Sequence, residues 1–157
     1  YADHTFGVCK KMLDDKNAIM GLGDGGAHVG FILDAGYPTW LISYWSVKKK
    51  AFSMEETVRR LTSDTSNAAG LNDRGLLKVG LKADINIIDW ENVNSSDPFM
   101  IQDLPAGGKR LMQHTQGYVT TIVSGKVTYK NGEFTKERPG TVVKSVKNDE
   151  KTLEFTN

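Results

Sequence analysis

The chain has 157 residues, 39% apolar and 9% aromatic, enough for about one domain with a buried core and too apolar for disorder. Its 20 basic and 19 acidic residues leave a net charge of +1, which gives no electrostatic footprint for nucleic acid. The single cysteine, Cys9, excludes an internal disulfide and a cysteine-built zinc cluster; there is no apolar run of the ~18 residues needed to span a membrane; with no signal peptide visible, a cytoplasmic location is expected.

In chain order, residues 5–15 read as a short helix. Phe6, Val8, Cys9, Met12 and Leu13 fall on one face, opposite Lys10, Lys11 and Asp14. "NAIM" at 17–20 suits a short buried parallel strand ending at a glycine cluster. "PTWLISYW" predicts a second helix with Pro38 in its first turn and Leu41, Ile42 and Trp45 near one face, closed by the solvated "KKK" of 48–50. "SMEETVRRLT" opens on Ser53 and Glu56, the spacing of a capping box, and "SDTSNAAGL" reads as a short helix stopped by Gly70. After Gly75 the pattern turns to strands. "ADINIID" is one, and "VTTIVSGKVTYKNGEFT" predicts paired strands with tight turns at Ser124-Gly125 and Asn131-Gly132. Residues 91–117, rich in turn formers and broken by Pro98 and Pro105, read as a long irregular connection, and the last dozen residues as a tail.

The chemistry concentrates in "GLGDGGAH", residues 21–28. Gly21-x-Gly23-x-x-Gly26 matches a dinucleotide fingerprint, but such a loop needs a continuous helix after it and an acidic residue about 20 positions on. The following segment carries Gly30, Gly36 and Pro38, and "YWSVKKK" has no acid. Asp24 would also oppose a pyrophosphate. Two readings of Asp24 stay open from local pattern: an exposed carboxylate that binds a metal or moves a proton, or a helix cap or Asx-turn. His28 either contacts substrate and steadies the Asp24 loop or is bonded to backbone. His4 reads as a surface residue, His114 as a linker residue and Cys9 as a buried thiol. Asp84 and Asp89 suit turns, and "PAGGKR" suits a solvated loop more than an anion cradle.

The stretch "GLGDGGAHVGFILDAGYPTWLISYW" resembles the last barrel strand and following loop of the amidohydrolase superfamily, in particular its N-acyl-D-amino-acid deacylase (D-aminoacylase) branch. "RGLLKVGLKADINIIDWENV" is similar to the passage from barrel to small β-sandwich, and "DLPAGGKRLMQHTQGYVTTIVSGKVTYKNGEFTKERPGTVVK" to the closing segment. The resemblance implies an α+β fragment. Residues 1–74 would hold the last strand and helices of a TIM-type (β/α)8 barrel, 75–144 the β-sandwich strands with their long connection, and 145–157 a tail. It implies a hydrolase acting on carbon–nitrogen bonds other than peptide bonds, in which zinc or another divalent metal activates water against a linear amide of an N-acylated amino acid. Asp24 takes the position of the catalytic aspartate that accepts the water's proton, and that aspartate also touches the metal in some relatives. The family's His-x-His pair is absent. With only His4, His28 and His114 in the chain, the expectation is a C-terminal fragment, inactive alone, whose partners are the missing N-terminal part and other copies of itself. A non-catalytic folding or interaction module is the main alternative.

Overall fold

The computed structural model describes residues 6–21, 23–26 and 28–143. His4 and the 145–157 tail lie outside them. The order is helical first and strand-rich later, as the residue patterns require. Helix α1 spans Gly7–Asp14, α2 spans Tyr37–Trp40 and runs into a π-helical segment Leu41–Lys48, α3 spans Met54–Leu61 and α4 spans Ser63–Ala68. Eight strands follow: β1 Ile85–Ile88, β2 Asn94–Ser95, β3 Phe99–Leu104, β4 Gly108–Met112, β5 Thr115–Gln116, β6 Tyr118–Val123, β7 Lys126–Lys130 and β8 Glu133–Phe134.

The main core forms where the π-helical segment meets its neighbours. Leu41, Trp45 and Phe52 are buried together, and Cys9, Leu13, Met20, Tyr44 and Leu61 pack around them. The face expected on α1 is therefore split. Cys9 and Leu13 reach the core, whereas Val8 and Met12 are exposed. Phe6 instead sets its ring edge-on to Trp40 and Tyr44, 5.4 Å from each. The wider helical turn brings Trp40 and Tyr44 into a parallel stack at 4.7 Å.

Ser53 caps α3 as expected, its hydroxyl accepting from the Glu56 N–H at 3.1 Å. The reciprocal half of the capping box is replaced. The Glu56 carboxylate pairs with Arg60, and Arg60 also donates to the Leu13 carbonyl at 2.7 Å, tying α3 to the end of α1. Helix α4 ends in a Schellman motif. Gly70 adopts φ +70°, its N–H reaches the Asn67 carbonyl and the Leu71 N–H reaches the Ser66 carbonyl.

The strands form three antiparallel sheets among the described residues: β1-β6-β7-β8, β2-β5 and β3-β4. Both expected hairpins are present. Val123 pairs with Lys126 across Ser124 (φ 49°) and Gly125 (φ 79°), and Lys130 pairs with Glu133 across Asn131 (φ 50°) and Gly132 (φ 84°). Positive φ at both turn residues is the primed geometry that matches strand twist.

Two expectations are corrected. Residues 17–20 form no strand, and Ile19 is 55% exposed. A buried parallel strand needs neighbours in register, and no described strand pairs with this segment. Residues 91–117 are not an irregular connection: they carry β2 to β5. Pro98 precedes β3 and Pro105 opens the turn that joins β3 to β4, so neither proline removes a ladder hydrogen bond. No helix of the described residues is long and apolar enough to cross a membrane.

Candidate active site

The glycine loop leaves the core at Met20 and returns to it at α2. Its path is set by close backbone approach. A Cβ on Gly23 would lie 2.7 Å from the Asp34 Cβ and 2.8 Å from the Asp34 carbonyl oxygen, so only glycine lets the two strands of the loop touch there. A Cβ on Gly25 would lie 3.1 Å from the Ala35 nitrogen. Gly26 takes φ +97°. Beyond it the chain makes turns rather than a helix, with the Phe31 and Ile32 N–H groups donating to the His28 carbonyl. A dinucleotide fingerprint requires a helix at that place, so the glycines here serve loop folding.

Asp24 is exposed, and its backbone N–H donates to the Asp34 carboxylate at 3.3 Å. Its own carboxylate makes no hydrogen bond within the described residues. His28 is exposed as well, adopts φ 47° and places its ring 5.2 Å from that of Phe31. The loop is held to the sheet region by a backbone bond from the Leu111 N–H to the Val29 carbonyl, 2.8 Å. A second tie joins the Thr39 hydroxyl to the Tyr118 phenol at 2.9 Å.

Beside the loop lies a cleft of about 370 Å³, walled by Gly23, Asp34, Tyr37, Trp40, Ser95 and Gln113 among others. A larger groove of about 1180 Å³ shares Met20, Gly21 and Tyr37 with this cleft and has Met54, Val58, Leu76 and Leu77 in its wall. Asp24 and His28 line neither. Asp34, Ser95 and Gln113 were not marked by any sequence motif. Only the close fit of Gly23 on Asp34, invisible without the fold, singles out Asp34.

The other sequence candidates are engaged elsewhere. Asp84 accepts from the Ser124 N–H at 2.8 Å and pairs with Arg74, which fixes the β6–β7 turn against β1. Asp89 accepts from the Asn92 side chain. Within "PAGGKR", Arg110 is bound in a two-point pair with Asp103 across the β3–β4 hairpin, at 2.8 and 2.6 Å, which removes it from an anion cradle. That guanidinium holds the Asp103 carboxyl below its usual range. His114 is exposed, and its ring lies 4.8 Å from that of Phe99 at a tilt of 36°. No group of three or more His, Cys, Asp and Glu among the described residues could hold a metal ion.

Comparison with known proteins bears on the same segment. A dihydroorotase from Lactobacillus acidophilus is 33% identical over 89 residues, a stretch that is 54% of this chain and 20% of that relative. The chain thus spans about a fifth of the length of the curated relative it matches. No solved structure gives a significant match. The model of the Amidohydrolase family matches residues 3–129, which takes in the glycine loop, the helices and the main sheet down to Tyr129. On that match the chain belongs to the amidohydrolase family.

Proposed function

We propose that this chain is the C-terminal part of a hydrolase that cleaves linear amide bonds of N-acylated amino acids, as in the D-aminoacylase branch, and that Asp24 is its proton-transferring residue. In this proposal residues 1–74 close a TIM-type barrel and 75–144 form the appended β-sandwich. The observation that supports the reading best is the state of Asp24. It is an exposed carboxylate whose own oxygens make no hydrogen bond among the described residues, on a glycine loop that lies inside the family match.

A zinc or other divalent ion is implied by the family. The described residues do not amount to a site for it, since a catalytic zinc takes about three protein ligands and no such cluster is present. Asp24 supplies at most one ligand, and the others belong to a longer protein. The chemistry assigned to this chain is that of Asp24 alone. Its carboxylate accepts a proton from the attacking water and returns it to the departing amine, a general acid–base role. His28, turned back on Phe31, contacts substrate or steadies the loop.

A second reading, hydrolysis of dihydroorotate, is favoured by the relative from Lactobacillus acidophilus. The complete gene product containing this chain separates the two. Supplied with divalent metal, it is expected to release amine from N-acetyl-D-amino acids and to leave dihydroorotate unchanged. The reverse preference would establish the second reading, and no turnover of either would favour a non-catalytic module.

A further inference from the structure

We propose that the 370 Å³ cleft between the glycine loop and the β2–β5 ribbon binds a small organic cation, an ammonium or guanidinium group on a short apolar stem. Its volume lies within the lower range of small-molecule sites. Its polar groups are chiefly acceptors. Asp34 brings a carboxylate that spends one oxygen on the Asp24 N–H and has no protein donor on the other among the described residues. Gln113 donates its amide N–H to the Ser96 carbonyl at 2.7 Å, which leaves its Oε1 on the cleft side beside Gly36. The Ser95 Oγ is buried and has no hydrogen-bond partner among the described residues. Buried polar groups are normally satisfied, and Ser95 belongs to the cleft wall, so rotation of its side chain would bring the unpaired hydroxyl to a ligand there.

The apolar part of the wall fits the same ligand. Trp40 and Tyr37 line it, and Trp40 is held in place by its stack on Tyr44. An aromatic face attracts a cation through its quadrupole. Among the described residues no lysine, arginine or histidine lines the cleft, so its described wall does not favour an anion. The proposal stands on this cleft alone and does not require amide hydrolysis.

The test is a calorimetric titration of the 157-residue chain with n-butylammonium chloride, with sodium butyrate as the anionic counterpart of similar shape. Saturable binding of butylammonium and none of butyrate is expected. Asp34→Asn keeps an oxygen for the Asp24 N–H and removes the charge. It should weaken binding by about tenfold or more, as loss of a charge-assisted hydrogen bond does. Ser95→Ala deletes only the unpaired hydroxyl and should weaken binding measurably with an unchanged circular dichroism spectrum. It serves as the deciding variant if Asp34→Asn disturbs the loop. Absence of saturable butylammonium binding, equal binding of butyrate, or unchanged affinity in folded variants would overturn the proposal.

Discussion

The backbone N–H of Asp24 donates to the carboxylate of Asp34 over 3.3 Å, and the contact exists because Gly23 has no side chain to hold the two segments apart. Close packing thereby explains Gly23, and the Asp24 carboxylate is left exposed. Gly23→Ala should destabilise the chain by about 1–3 kcal/mol, the usual cost of forcing atoms into a packed contact. Gly21→Ala, whose Cβ would meet nothing within 4 Å, should stay within about 0.5 kcal/mol of the parent. Urea midpoints of the two variants check this, and equal midpoints would remove the packing explanation.

The Thr39–Tyr118 bond links the helical part to the main sheet, and Thr39 is 4% exposed. Tyr118→Phe leaves a buried hydroxyl unpaired and should cost about 1–3 kcal/mol. Thr39→Val with Tyr118→Phe should cost less than the sum of the single changes by at least about 0.5 kcal/mol. Strict additivity in a double-mutant cycle would show that the bond contributes nothing.

Much of this architecture is legible in the sequence, because local chemistry decides it. Ser53 before "MEE", Gly70 after "SNAA", and the Ser124-Gly125 and Asn131-Gly132 turns each specify their structure within a few residues. The misses are non-local. "NAIM" has the composition of a strand but no described partner, and β2 and β5 are two-residue strands whose pairing joins residues some twenty apart, such as Asn94 with Gln116. The π-helical turns of Leu41–Lys48 follow from how Trp40, Tyr44 and Trp45 nest, which helix propensity does not encode. At the site, Asp24 and His28 stand out by their glycine setting, whereas Asp34 emerges only from its contact with Gly23.

The Asp103–Arg110 pair gives a pH signature. Hydrogen bonding from the guanidinium lowers the Asp103 pKa, against a smaller opposing effect of desolvation. A depressed folded-state pKa contributes stability that is present above the unfolded value of about 3.9 and is lost as pH falls through the folded one. The β3–β4 hairpin should therefore lose this support only below about pH 4. In an NMR titration the Asp103 carboxyl should titrate below the ordinary range and return toward it in Arg110→Ala. No difference between the two proteins would contradict the pairing.

The wall of the large groove and its surroundings expose Leu76 (59%), Leu77 (84%) and Val79 (101%). Contiguous apolar surface of this kind ordinarily has a partner. The isolated chain should bind an apolar dye and self-associate with rising concentration, and Leu76→Ser with Leu77→Ser should reduce both. Light scattering coupled to size exclusion is the measurement. A monomer at all concentrations, with no dye binding, would argue against a covered face.

The most direct test of the central claim is amide turnover by the complete gene product carrying Asp24→Asn, with its metal content verified against the parent. The substitution keeps shape and removes the proton acceptor, and general acid–base catalysis contributes about 10²–10⁴-fold. The account predicts a folded, metal-loaded protein that has lost at least about a hundredfold in kcat on an N-acyl amino acid. Near-parental turnover in that variant would contradict it and leave Asp24 with no catalytic role.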